Sequence, residues 1–335
     1  MLRPVSQAAP PSCRPWWFAV ALLPLVAALS AGAAEPAPDP RALAALKARA
    51  ALNRVFITDA VRVGERDVAV GERGAVFVSA DGAVTWTPRV APTEKTLTGI
   101  IPAPGGELFA TGHSGTILRS ADGGETWQAA LTPGPRREAL MGILPLDGNQ
   151  ALAYGGYGTF LASGDGGRSW AQAEMLGPDM DKHIYGIARA GNTLVLVGET
   201  GLIAVSDNLG KAWQAVASPY PGSLFGVAAL RANQFIAFGM RGKILRSVDG
   251  GRRWSELPSA TNSPLFAATR LRDGRLVIGG KDGVLVLVAP DGERVETRHT
   301  PDRRSVARVI EGRGGEWLLF GDGGVRSVRW DALAQ

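Results

Sequence analysis

Side chains able to do chemistry are few in this chain, and they are scattered. The three histidines, His113, His183 and His299, have no spacing that would gather them on a metal ion. The single cysteine, Cys13, stands ahead of a long apolar stretch near the N-terminus. No His-Glu-x-x-His, Gly-x-x-x-x-Gly-Lys or Gly-x-Ser-x-Gly occurs. Gly112-His113-Ser114-Gly115 approaches the last of these, but Thr116 follows it and the surroundings read as a hairpin, not as strand-to-helix. Glycosidase carboxylates must meet about 5–9 Å apart, and chain order alone brings no two acids together. What remains is cationic. Arg73, Arg241 and Lys281 stand singly, Arg136-Arg137 and Lys182-His183 come in pairs, and Arg270, Arg303, Arg304 and Arg308 charge the last third. A guanidinium fork suits carboxylate or phosphate partners better than an ammonium does. This inventory points to binding and away from catalysis: no enzyme activity, cofactor or metal is expected.

These groups ride on a repeating frame. A Gly-x-x-Gly tetrad follows an apolar run seven times, opening at Gly71, Gly112, Gly155, Gly198, Gly239, Gly280 and Gly321. The spacings are 41, 43, 43, 41, 41 and 41 residues, which marks a repeat architecture. Glycine reaches 44 of 335 residues, nearly twice the usual share of about 7%, and implies many tight turns.

Eight residues after each leading glycine comes a second motif, clearest as Ser120-Ala-Asp122-Gly-Gly124-Glu-Thr126-Trp127. Near copies end at Trp86, Trp170, Trp213 and Trp254. Asp81, Asp122, Asp165 and Asp249 are suited to accept backbone N–H groups about two residues on, while Gly takes the left-handed position. The Trp then starts the next strand and buries its face between neighbouring units. All nine residues therefore read as structural. The sixth frame has degenerated to Val288, Pro290 and Val295, and the seventh runs out at Gln335.

Each repeat reads as four short strands, in the second near 98–101, 107–111, 116–120 and 126–130. Such strands at this period, with no helical segments between them, predict an all-β, seven-bladed β-propeller with four-stranded antiparallel blades over 55–335. Ring closure removes most exposed sheet edges. The seventh blade has strands near 305–310, 316–320 and 325–330 and no room for a fourth. Residues 42–54 either supply that strand or form a short helix capping the ring, since Ala, Leu, Lys and Arg favour helix.

Residues 1–34 read as an address. Arg3 and Arg14 precede an apolar stretch from Trp16 to Leu29, followed by Ser30-Ala31-Gly32-Ala33-Ala34. This is the pattern of a cleavable secretory signal, too short at about 21 Å to span a ~30 Å hydrocarbon core. Residues 35–54 are a linker or ring-closing segment. Cleavage removes Cys13, so the exported, periplasmic chain has no disulfide and no thiol nucleophile. It carries 34 basic (36 minus the 2 in the signal) and 31 acidic residues, and the excess is uneven. From Arg241 onward there are 17 Lys/Arg against 12 Asp/Glu, whereas 35–240 hold 17 against 19. No run of five like charges occurs, so no nucleic-acid arm is expected.

The octad is the Asp-box of bacterial neuraminidase repeats. With the signal peptide, seven blades and the paired Gly-x-x-Gly frames, the chain resembles the photosystem II stability/assembly factor family. Asp67-Val-Ala-Val-Gly71-Glu-Arg-Gly74, followed by Ser79-Ala-Asp81-Gly82, is especially similar. The resemblance spans roughly 55–331. It implies a non-enzymatic, exported propeller that binds membrane-protein subunits, with an arginine-rich face implicated. No light-harvesting or cofactor signature accompanies it here, so a non-photosynthetic bacterial relative is expected, acting as a monomer. Neuraminidase chemistry would need an arginine triad, a tyrosine and paired acids. The Arg-Ile-Pro signature is absent, and only Tyr154, Tyr157, Tyr185 and Tyr220 are available.

In a propeller the turn between second and third strands lies on one face. The middle residues of the seven tetrads, among them Arg73, His113, Tyr157, Arg241 and Lys281, therefore ring that face. Constant Gly with varied tips suits a binding surface on a rigid scaffold. The connections between blades share the face and bring Arg136-Arg137 and Lys182-His183 to it. In the last blades Arg270, Arg303, Arg304 and Arg308 add charge near the central channel, and Arg136, Arg137, Arg303, Arg304 and Arg308 read as partner-binding. The favoured reading is docking on a membrane protein or complex from the exported side. The alternative is a glycan-binding or glycan-cleaving propeller, with clustered acids and Tyr157 at the channel mouth.

Overall fold

The second strand of every repeat is apolar on both faces, as in Val68–Val70, Leu194–Val197 and Phe235–Phe238, and such a run is stable only where both faces are covered. The computed structural model of the protein describes residues 52–130, 138–177 and 180–333 and shows what covers them. Seven antiparallel sheets follow one another along the chain, six of four strands and the last of three among the described residues. Each is a simple meander, and the whole is a seven-bladed β-propeller. The innermost strands are Ile57–Val63, Leu97–Pro102, Leu140–Pro145, Ile184–Ala190, Leu224–Arg231, Leu265–Arg270 and Val306–Glu311.

Seven apolar cores lie between consecutive blades. Val68, Val70 and Val78 of blade one meet Leu97, Leu108 and Trp127 of blade two. The last core joins Ile310, Leu318 and Phe320 of blade seven to Ile57, Ala69 and Phe77 of blade one, which closes the ring. The box tryptophans reach back to the preceding blade: Trp86 packs edge-on against Phe320, Trp170 against Phe109 and Trp213 against Phe160.

The box turn is held by its own side chains. Asp81 accepts from the Ser79 hydroxyl at 2.8 Å and from the Thr85 N–H at 2.9 Å and hydroxyl at 2.5 Å, while Ser79 Oγ accepts from the Ala83 N–H at 2.9 Å. Asp122, Asp165 and Asp249 repeat the pattern. In blade four Asn208 stands in for Asp, accepting from the Ser206 hydroxyl and the Ala212 N–H. The Trp does not start the fourth strand as expected. In four blades its indole N–H turns back to the carbonyl three residues earlier (Trp127 to Gly124, 3.0 Å), Trp213 being the exception, and the strand begins one residue after the Trp, as at Gln128.

The third strand of blade seven ends at Val328, and Trp330 lies beyond it in a short 3-10 turn, against Trp317 and under the Arg298 guanidinium. Residues 1–51, which include the expected export signal and most of the 42–54 segment, lie outside the described residues. Leu52–Arg54 form a 3-10 turn whose Leu52 carbonyl faces Gly324, at the start of that strand.

Candidate functional site

The tetrad turns and the blade-to-blade connections hold each other in place. The second tetrad residue donates its N–H to the connection entering its own blade: Glu72 to Phe56, His113 to Thr96, Glu199 to His183 and Asp322 to Ser305. The fourth residue presses on the connection leaving the blade. Gly74 adopts φ +65°, and a Cβ there would lie 2.1 Å from the Thr93 carbonyl oxygen, so only glycine fits. The third residue is left-handed whatever its type, with φ +55° at Arg73, +50° at Tyr157 and +56° at Arg241. That conformation aims its side chain outward.

The tip face therefore presents Arg73, His113, Tyr157, Arg241 and Lys281 as exposed side chains. Arg303 and Arg304 stand exposed in the connection between blades six and seven, and Lys182 is half-buried in that between three and four. Arg136 and Arg137 lie outside the described residues. Arg73, Lys182, Arg241, Lys281, Arg303 and Arg304 make no ion pair among the described residues. Acids on the same face are partly engaged: Asp302 by Arg326 at 3.1 Å, Asp282 by the Ser263 hydroxyl at 3.2 Å, and Glu199 by the His183 N–H at 3.2 Å. Glu72 and Asp322 add exposed carboxylates on blades one and seven. The opposite face mixes both states: Arg119 pairs with Glu107, Arg189 with Asp147, Arg252 with Asp207 and Arg313 with Glu65, while Arg168, Arg231 and Arg253 are exposed with no ion pair among the described residues.

Arg308 is not on the face. It points into the central channel, where its Nε lies 2.5 Å from Asp59 Oδ1 and its Nη1 donates to the Ala268 carbonyl at 3.2 Å. Asp59 also accepts from the Ile100 N–H at 2.9 Å, so this pair ties blades six, seven, one and two together. Arg308 thus lies at the central channel, as expected, and unlike Arg303 and Arg304 its guanidinium is already engaged by a carboxylate across the ring closure. Two threonines do similar work. Thr58 Oγ1 donates to the Leu97 carbonyl at 2.6 Å and Thr98 Oγ1 to that of Leu140 at 2.5 Å, each bridging to the next inner strand.

Beneath the tips, the upper channel opens into a cavity of about 460 Å³ lined by the first turns of the inner strands. Its wall has two halves. Thr58, Asp59, Thr98 and Arg308 form the polar half, and Tyr185, Phe225 and Phe266 form an aromatic arc on blades four to six. The arc continues upward: Phe266, Phe225 and Tyr185 lie 6.2 and 5.5 Å apart, His183 lies 6.0 Å from Tyr185, and Tyr157 lies 4.5 Å from His183. His183 Nδ1 accepts the Tyr157 N–H at 3.1 Å, which leaves its Nε2 facing Glu199. Asp59 is the one carboxylate lining the cavity among the described residues, so the clustered acids expected of a glycosidase are not found there. Tyr154, on the cavity floor, has its phenol pushed up to about 12 by burial and stays protonated.

Of this channel wall only Arg308 was among the binding residues singled out from the sequence. A signal existed: the inner strands open on Leu97-Thr-Gly99, Leu140-Met-Gly142, Ile184-Tyr-Gly186 and Leu224-Phe-Gly226. The glycine makes room for a second-strand ring; a Cβ on Gly142 would lie 2.4 Å from the Tyr154 hydroxyl, and one on Gly226 2.5 Å from the Phe238 ring.

The protein is thus a seven-bladed propeller with a variable, cation-bearing tip face around an aromatic channel mouth, which is the organisation of a binding scaffold. Residues 137–326, more than half the chain, match the family of the photosynthesis system II assembly factor YCF48, and the chain belongs to that family. No curated protein matches it in sequence. Among solved structures it is similar to YCF48 from Cyanidioschyzon merolae, with TM-score 0.63 and 15% identity over 83% of this chain and 96% of that one. It is also similar to a YCF48 bound to D1 peptide, with TM-score 0.64 and 16% identity over 81% and 92%. Virginiamycin B lyase from Staphylococcus aureus has the same fold, with TM-score 0.69 at 13% identity over 81% and 93%. At such identities these likenesses concern the fold alone.

Proposed function

We propose that the protein is an exported, non-enzymatic docking factor that grips a segment of a membrane protein or complex through the tip face, serving its assembly, stability or accessory function. The observation that carries this reading is the grouping of Arg241, Lys281, Arg303 and Arg304, exposed and unpaired among the described residues, on the tips and connections of blades five to seven beside the aromatic channel mouth. A free guanidinium is available to a partner's carboxylate. Membership of the YCF48 family and the likeness to a YCF48 that binds a D1 peptide support a protein partner. The N-terminal pattern of Arg3, Arg14 and the apolar stretch supports export to the periplasm. Hydrolysis of glycans is less well supported, because one carboxylate lines the cavity.

The test is capture of membrane proteins on the tagged, exported chain. Arg241→Glu, Arg303→Glu and Arg304→Glu together should reduce capture at least tenfold with an unchanged melting curve. Arg252→Glu on the other face should leave capture intact. Equal capture by both variants would place docking elsewhere, and accumulation of unprocessed chain in the cytoplasm would refute export.

A further inference from the structure

We propose that the aromatic arc is the anchor of the docking site: it takes an aromatic side chain of an extended partner segment whose flanking residues are acidic. This deepens the docking reading and rests on it.

The rings of the arc touch one another but stand outside the blade cores. The seven cores between blades are built without Tyr185, Phe225 or Phe266, although each of these rings is only partly buried. A ring that is neither in a core nor fully in water offers apolar area that a ligand can cover. At about 460 Å³ the cavity lies within the range of ligand pockets and holds an aromatic side chain with its backbone.

The polar groups decide what kind of occupant fits. A free small molecule needs convergent donors and acceptors inside its pocket. Here most of those inside already serve the fold: Thr58 and Thr98 donate to neighbouring blades, and Asp59 and Arg308 hold each other, which leaves the Tyr185 hydroxyl as the free polar group of the arc among the described residues. Over the arc, on the tips and connections of blades four to seven, stand Lys182, Arg241, Lys281, Arg303 and Arg304, each without an ion pair among the described residues; Arg73 and Lys95 stand the same way over blades one and two. An occupant must therefore reach from rim to channel, apolar below and anionic above. An acidic peptide with one inserted aromatic residue has that form. Tyr157, 58% exposed at the top of the aromatic series, is its first contact. Aromatic anchors flanked by charge are the usual carriers of binding energy at interfaces.

The probe is N-acetyl-Glu-Phe-Glu amide, titrated onto the purified chain by saturation-transfer NMR, beside its Glu-Ala-Glu and Lys-Phe-Lys counterparts and free phenylalanine. The Glu-Phe-Glu peptide should bind at least tenfold more tightly than the other three. Phe225→Ala should weaken it at least tenfold, and Tyr157→Ala, on an exposed tip that cannot disturb a core, should weaken it severalfold. Equal affinity for the Phe and Ala peptides, or binding of free phenylalanine as tight as that of the peptide, would overturn the proposal. If the peptide binds as expected but no membrane protein is captured in cells, the anchor stands and the docking reading falls. If membrane proteins are captured equally by wild type and Phe225→Ala, docking stands and the anchor falls.

Discussion

The box aspartates show how much one side chain does in this fold. The hydroxyl and N–H of Thr85, with the Ser79 hydroxyl, hold the Asp81 carboxyl down at about 2, below its usual 3.8. A group whose folded pKa is depressed stabilises the fold fully above its unfolded pKa, and that contribution is lost as pH falls through the folded value. Asp165 is lowered in the same direction, first by the Ser169 hydroxyl. The melting temperature should therefore be level from about pH 7 to 5 and fall between about pH 4 and 2. Asp81→Asn should keep the turn, as Asn208 does in blade four, and flatten part of that slope; thermal melts across the range would show it, and an unaltered slope would count against the account. Arg308 makes a second case. Arg308→Glu would leave two carboxylates facing each other in the channel wall and should cost about 3 kcal/mol or more in chemical denaturation. Arg303→Glu is a surface change and should stay within about 0.5 kcal/mol.

At the scale of elements, the sequence was legible wherever a turn needs particular residues. The tetrad and the octad repeat because each copy solves the same steric problem: a left-handed glycine against a carbonyl, and a carboxylate within reach of N–H groups. Blade number and the all-β architecture follow from counting them. Strand ends were less legible, since the fourth strand begins one residue after the box tryptophan whether or not the indole N–H is bonded, and no residue type marks that start. The channel wall was hidden for another reason. Its residues meet only across blades: the stacking of consecutive blades brings Tyr185 to Phe225, and ring closure brings Asp59 to Arg308, 249 positions away along the chain. The box tryptophan is the largest side chain in the blade stacking. Trp127→Ala should destabilise the fold by about 3–5 kcal/mol, read from denaturant midpoints, because the indole is 7% exposed and seated on blade one. A cost under about 1 kcal/mol would mean the blades hold together without it.

For the whole molecule, the rigid ring separates stability from recognition. Cores between blades, box turns and the Arg308–Asp59 pair fix seven tips in place, and the tips are then free to differ in charge and shape. The tips and connections of blades five to seven carry Arg241, Lys281, Arg303 and Arg304 beside Asp282, Asp302 and Asp322, and the aromatic arc lies below them. The most direct test of the central claim is crosslinking in cells through lysines of the tagged chain, with the attachment sites mapped by mass spectrometry. The account predicts one dominant membrane-protein partner joined through Lys281 and Lys182 on the tip face. Attachment through Lys211, in the box turn of blade four on the opposite side, with Lys281 and Lys182 unmodified, would contradict it.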